Sequence, residues 1–224
     1  MEAPAVRPVP TLRRRPVRPK RGESADTRDR LVAAAAAVFN RDGYHGTDSN
    51  RLARAAGYAP ATFYKHFPDK RTILLAAYEG WVTTEWQGIG TALRAARTPT
   101  ERAERIVALV LEHHRRWKGL RASLRALVVT DPVVRRFHRA QRRRQLELLA
   151  EMRRGARGTP AMARVDDATR GVSDATRRVS DAIMLFTLER TLDAIAEGET
   201  DALGLDTDIV MTRLRAIVGA ALQP

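Results

Sequence analysis

The stretch "PATFYKHFPDK", residues 60–70, sets three aromatic rings, a histidine and two lysines behind a proline. Pro60 suits the first turn of a helix, because it fixes φ and forfeits only an N–H that has no intrahelical partner there. On a helix running to Phe67, each residue turns the direction by about 100°, so Phe63 and Phe67 point together and should anchor in a core. Ala61, Thr62 and Lys65 then fall on the opposite face. Tyr64 and His66 take the flanks, where a ring can lean on apolar neighbours while its polar tip reaches out. "PDK" ends this helix and another begins near Lys70. Packing therefore explains two rings and leaves the remaining positions available for contact.

Working upstream, Leu31, Ala34, Ala35, Val38 and Phe39 recur at helical spacing between Asp26 and Arg41, and "RDGYHGT" stops that helix with Gly43 as C-cap. Thr47 can cap a short second helix that turns Leu52, Ala53 and Ala56 inward and ends at Gly57. A short helix, a glycine turn and a second short helix with a polar outer face have the size of a helix-turn-helix, whose second helix fits the major groove. On that reading Thr62 and Lys65 face bases, and Tyr64, His66 and Lys70 touch phosphate. Lys70 also stands beside the next helix N-terminus, whose unpaired N–H groups attract anions. The alternative for the pattern alone is a solvated helical surface.

Residues 30–75, "RLVAAAAAVFNRDGYHGTDSNRLARAAGYAPATFYKHFPDKRTILL", resemble the DNA-binding domain of the TetR family of transcriptional regulators. "F..DGY.GT" is similar to the end of the family's first helix and the cap of its second, "LARAAG" to the second helix and turn, and "TFYKHFPDK" to the recognition helix and the start of helix four. The resemblance covers about a fifth of the chain directly. It implies an all-α protein: an N-terminal three-helix DNA-binding domain with a helix-turn-helix, then a helical C-terminal domain that binds an effector and forms a homodimer. It further implies DNA contact from Thr47, Pro60, Ala61, Thr62, Tyr64, His66 and Lys70, with Lys65 as an additional contact. Two positions depart from the pattern. Ala59 stands where a serine-like cap usually begins the recognition helix, a loss of about 1 kcal/mol that Pro60 partly offsets. Ser49 occupies a position that is usually apolar.

The chain has 224 residues and a formal charge of +14, which favours a polyanionic partner because cations near phosphate release condensed counterions. It contains no cysteine, which excludes disulfides and thiolate metal sites. No run of about 18 apolar residues exists and no hydrophobic region follows the basic N-terminus, so a cytoplasmic protein without a membrane span is expected. Residues 1–23 carry seven basic side chains, two acidic ones and five prolines, and read as a disordered basic arm. Residues 24–70 are assigned to the DNA-binding domain and 71–224 to the effector-binding and dimerisation domain.

Beyond Lys70 the sequence reads as longer helices: one to about Arg97, one carrying Ile106, Val107, Val110 and His113, one over Leu120–Val129, and one from Pro132 to about Arg154. A seven-residue echo, Val165, Val172, Val179 and Phe186 with Ala168, Ala175 and Ala182 beside it, continues to about Glu197. A last helix begins at Asp206 or Thr207. Small residues on a sustained heptad permit close helix approach, so these two C-terminal helices are the candidates for a homodimer interface. The arginine-rich stretch 115–154 reads first as a solvated face, with a second anion-binding surface or a site for an acidic effector as the alternatives.

Trp81, Trp86, His113, Trp117, Phe137, Met152, Met184 and Phe186 are the residues available to line an effector pocket, although each also serves as ordinary core. An enzyme is disfavoured. His113 and His114 point about 100° apart on a helix and make no same-face metal pair, and no glycine-rich phosphate loop or nucleophile elbow is present. No cofactor is expected. The partners expected are a double-stranded DNA operator, a second copy of the chain and a small-molecule effector. The competing expectation is a constitutive dimeric repressor or scaffold without an effector, for which a filled core rather than an elongated cavity would speak.

Overall fold

The computed structural model describes residues 21–156 and 167–222, with side chains over 24–152 and 174–222. Among the described residues the chain forms helices only. They are α1 (Arg21–Asp42), α2 (Ser49–Ala55), α3 (Pro60–His66), α4 (Lys70–Ala95), α5 (Pro99–Arg116), α6 (Lys118–Thr130), α7 (Pro132–Ala156), α8 (Asp167–Glu197), α9 (Glu199–Ala202) and α10 (Thr207–Ala221). Helix α1 starts five residues before the expected Asp26, because the residues from Arg21 onward are helix-tolerant even though they present no apolar stripe. The rest of the basic arm, residues 1–20, lies outside the described residues, as do Val165 and the "RGTPA" loop.

Punctuation follows short side chains. Asp48 caps α2 by accepting from Arg51 N at 2.8 Å; Asp69 caps α4 by accepting from Thr72 N at 2.7 Å and Thr72 Oγ1 at 2.9 Å. Thr98 caps α5, Asp131 caps α7 and Asp206 caps α10 in the same way. Gly43 and Gly57 take φ of +71° and +78°, the left-handed conformation that ends α1 and turns α2 into α3. As expected, Ala59 gives α3 no side-chain cap.

One core runs through the molecule. Leu31, Phe39, Leu52, Phe63, Phe67, Ile73 and Leu74 are fully buried in the N-terminal part, and the same cluster continues through Val107, Leu124, Leu192 and Leu214 in the body. Helix α1 packs on both α4 and α6, and α5 is held among α4, α8 and α10. The join between α1 and the body is polar and close. Asn40 Nδ2 donates to Arg116 O at 2.8 Å, and its Oδ1 accepts from Gly119 N at 3.0 Å and Leu120 N at 3.2 Å. A Cβ at Gly119 would stand 1.9 Å from Asn40 O, so only glycine permits this approach.

Helices α4 and α7 run parallel, as their paired positions show: Arg71 meets Asp131 at 3.1 Å, Tyr78 meets the Phe137 ring at 6.3 Å, and the Met152 methyl lies against Gly90. No helix among the described residues is long and apolar enough to cross a membrane.

Candidate nucleic-acid interface and body cavities

Helix α3 places its residues as the 100° rule requires. Phe63 and Phe67 are buried, their rings 5.9 Å apart, and Arg28 of α1 stacks over Phe67 at 5.1 Å. Tyr64 is 55% exposed with its ring edge-on to Phe63, Ala61 and Lys65 are exposed, and Pro60, Thr62 and His66 are half-buried. The Tyr64 hydroxyl, the Lys65 ammonium and the His66 ring make no hydrogen bond or ion pair among the described residues, so their polar ends are free for an outside partner.

Two expected contacts are placed differently. Thr47 does not cap α2; the adjacent Asp48 does, and Thr47 is buried with its Oγ1 unpartnered. Its methyl-bearing side chain serves packing, while its carbonyl accepts from Lys70. Lys70 is an internal clamp: Nζ donates to Tyr44 O at 2.9 Å and Thr47 O at 3.0 Å and sits 4.2 Å from the centre of the Tyr44 ring. The α4 N-terminus beside it is already occupied by the Asp69 carboxylate, which answers the positive end of the helix dipole and leaves less for a phosphate. Ser49 sits half-buried in the first turn of α2, where a hydroxyl is tolerated.

In the body, the eight candidate lining residues divide among separate places. Trp81, His113 and Trp117 border an open cleft of about 470 Å³ between α1 and the helices α4, α5 and α6. Trp86 and Met152 border a groove of about 520 Å³ between α4 and α7. Met184 and Trp86 border an enclosed slot among α4, α5, α7, α8 and α10 of only about 30 Å³. Phe137 is a packing ring on Tyr78 and borders none of these spaces. Phe186 is 52% exposed and carries the Arg142 guanidinium 5.7 Å from its ring centre. It faces outward because it lies on the α8 side opposite Leu185, Leu188 and Leu192.

A buried polar cluster joins these elements, and nothing in the sequence signals it. Arg121 of α6 forms a bidentate pair with Asp193 of α8, at 2.8 and 3.0 Å, and stacks 4.8 Å over Trp81. His114 Nδ1 of α5 lies 2.9 Å from the same carboxylate, and Arg125 reaches it at 2.5 Å. Burial would raise Asp193, but hydrogen bonding from His114 and Arg121 holds it far below the usual carboxylate range. The same burial pushes His114 down. Glu85 of α4, 3.7 Å from His114 and 3.9 Å from His113, is pushed up to about 8 by desolvation, and its Oε2 has no hydrogen-bond partner. Arg142 pairs with Glu189. No group of three or more His, Cys, Asp or Glu among the described residues could hold a metal ion.

Residues 31–77, which run from the middle of α1 through α2 and α3 into α4, match the family model described as bacterial regulatory proteins, tetR family. The match takes in the helix-turn-helix unit and covers about a fifth of the chain. Over 115 residues it is 31% identical to the HTH-type transcriptional activator FasR of Mycolicibacterium smegmatis, a match covering 49% of this chain and 50% of that one. The chain thus spans about half the length of the curated relative it matches. Three solved structures share its fold. A transcriptional regulator from Rhodococcus sp. Rha1 superposes with a TM-score of 0.63 at 21% identity, covering 88% of this chain and 96% of that one. A Saccharomonospora viridis regulator in complex with choline gives 0.62 at 20%, covering 87% and 96%. The fatty acid degradation regulator FadR from Bacillus halodurans gives 0.55 at 17%, covering 88% and 96%.

Proposed function

We propose that the chain is a ligand-responsive DNA-binding transcriptional regulator that acts as a homodimer on an approximately palindromic operator and represses. The observation that carries the DNA-binding part is α3. Two buried rings lock the helix to the core, while Thr62, Tyr64, Lys65 and His66 present polar groups that find no partner among the described residues. Thr62 and Lys65 face bases, and Tyr64 and His66 flank the backbone. Pro60 and Ala61 at the leading edge offer few hydrogen bonds, so apolar contact and DNA shape contribute there. Lys70 and Thr47 support the loop before α2.

Dimerisation is supported by the outer face of the last two long helices. Val179, Ile183 and Phe186 on α8 and Ile209 and Ile217 on α10 are all exposed, and α8 and α10 pack against each other. Apolar residues in such a stripe mark an association surface. Sedimentation should give a dimer at micromolar concentration, and Ile183→Glu with Phe186→Glu should convert it to monomer; a wild-type monomer with and without DNA overturns this part.

One observation favours a second reading, a regulator without an effector. The enclosed space in the body is about 30 Å³, close to a filled core. The sensing reading stands first because a groove of about 520 Å³ adjoins that slot through a shared wall, Trp86. Selection of bound genomic fragments tests the function directly. Recovered sites should carry two inverted half-sites in successive major grooves, and a promoter reporter should fall when the protein is supplied. Absence of enrichment over random DNA refutes DNA recognition, and a rising reporter refutes repression; FasR is itself named an activator.

A further inference from the structure

The groove between α4 and α7 is cationic. Three guanidinium groups deeper in the body are neutralised by carboxylates, Arg121 and Arg125 on Asp193 and Arg142 on Glu189. At the groove, the bond that holds Arg94 among the described residues is to Thr91 Oγ1 at 3.2 Å. Arg144 stands 3.9 Å from Glu79, at the outer limit of an ion pair between two exposed side chains. No carboxylate lines the groove among the described residues. Beside the two arginines lie Gln141 and Gln145, both more than nine-tenths buried, so amide groups are fixed at the wall rather than splayed into solvent.

The floor of the groove is Trp86, and it carries a defect. The side chain is 6% exposed, yet among the described residues its indole Nε1 has no acceptor. An unsatisfied buried donor is costly, and native proteins rarely keep one without a reason. Behind the same ring is the closed slot, walled by Ile89, Leu149, Met184, Leu185 and Leu188. Along α4 the slot follows residues 85–93, about 12 Å at the helical rise. Met152 at the groove and Met184 in the slot have adaptable side chains that can re-pack around an inserted chain. The two acids of the slot do not oppose an apolar occupant: Glu189 is paired with Arg142, and desolvation keeps Glu85 protonated at neutral pH.

We propose that the α4–α7 groove binds an alkyl carboxylate, its head on Arg94 and Arg144 with Trp86 Nε1 donating to it, and its chain opening the slot behind Trp86. From groove to slot the lining passes from cationic donors through Trp86, whose buried indole N–H is unpartnered among the described residues, to apolar side chains. That sequence suits an anionic head on an alkyl chain and disfavours a cationic one. The proposal rests on the sensing reading above for its effect on DNA, but not for binding itself.

Calorimetry on the full chain with dodecanoate, dodecan-1-ol and dodecyltrimethylammonium, each below its micelle concentration, tests it. Dodecanoate should bind at least tenfold more tightly than either analogue. Arg94→Gln with Arg144→Gln should weaken it at least tenfold while leaving the thermal midpoint unchanged, since both side chains are exposed. Trp86→Phe, which keeps a ring and removes the N–H, should weaken it several-fold. Equal affinity for the three heads, preference for the ammonium, full affinity in the arginine variant, or no dodecanoate binding each overturns the proposal. Operator binding is measured on the same samples. Arginine-dependent dodecanoate binding that leaves DNA affinity unchanged upholds the groove and refutes its role in sensing. Release of DNA by another compound, with dodecanoate unbound, upholds sensing and refutes the groove.

Discussion

Replacing Lys70 by Met separates a structural clamp from a phosphate contact, because the two roles predict opposite pairs of outcomes. The methionine keeps the apolar stem and removes the ammonium, which now donates to Tyr44 O and Thr47 O and caps the Tyr44 ring. Tyr44 is itself held from the other side, its N–H donating to Ser123 Oγ at 3.1 Å. The α1–α2 loop is thus pinned between α4 and α6, and Lys70 supplies the α4 side. A hydrogen bond from a charged donor is worth about 1.5–3 kcal/mol when buried; with Lys70 half-buried and its carbonyl partners able to recruit water, the pair is worth about 2–3 kcal/mol. Urea unfolding followed by circular dichroism should show that loss, equivalent to about 5–10 °C in Tm for a chain of this size. Operator affinity measured by anisotropy across a salt series should keep its slope, whereas losing a phosphate contact would flatten the slope by about 0.9. Unchanged stability with a slope reduced by about one would refute the clamp.

Tyr64→Phe removes an exposed hydroxyl that no group in the chain uses, so stability should hold within about 0.5 kcal/mol while affinity for operator and random duplex falls together by about threefold to tenfold; unchanged affinity on both counts against a backbone contact. Asp193→Asn leaves Arg121 buried beside a neutral amide and should cost about 3–5 kcal/mol in denaturant unfolding; a loss below about 1 kcal/mol would show that the cluster is not what joins α5, α6 and α8. Glu85→Gln should change the pH profile of stability. The native carboxyl keeps its proton up to about 8 against an ordinary 4.5, so between those values the native state binds more protons than the unfolded chain and wild-type stability falls as pH rises. At about 1.4 kcal/mol per pKa unit the effect is capped near about 5 kcal/mol, and the wild-type minus variant difference isolates it from His113 and His114, whose depressed values act in the opposite direction. Parallel profiles for the two proteins would refute the assignment.

The helices were legible because their signals are local. Period-3.6 apolar spacing, Pro60 and Pro132 in first turns, and Gly43 and Gly57 at ends are read within a few residues. The faces of α3 followed from the same rule. Misplacements arose where the choice is tertiary. Thr47 and Asp48 are adjacent and both able to cap α2; the interior favoured the threonine methyl and left the carboxylate for Arg51 N. Lys70 has a stem long enough to point out to phosphate or back to the loop, and only the position of the Tyr44 and Thr47 carbonyls decides. Helix α9 is four residues long, too short to carry a period. Phe186 and Met184 are two positions apart with the same apolar character, yet one faces outward and the other inward. The Arg121–Asp193 pair spans 72 positions between two helices, a separation over which a single sequence offers no pairing rule.

The position of the groove bears on how occupancy could reach α3. Helices α4 and α7 are parallel and tied at their first turns, where Arg71 meets Asp131 at 3.1 Å. The groove opens at the other end, along 82–94 of α4 and 141–152 of α7, so a molecule that parts the helices there acts on α4 about 17–35 Å from the tie by the helical rise. The tie holds the near end, and displacement at the far end becomes rotation of α4 rather than translation. The start of α4 cannot rotate independently of α3 or of the α1–α2 loop, since Asp69 and Lys70 follow α3 directly and Lys70 grips that loop. Against this rotation stand Asn40 and Ser123, which fasten α1 and the loop to α6. A wedge at the groove therefore has to work against contacts on α6, and the energy available to it is only the difference in ligand affinity between the closed and parted arrangements. An occupant confined to the open groove would leave α4 where it is; only one whose chain enters the slot behind Trp86 has that difference to apply.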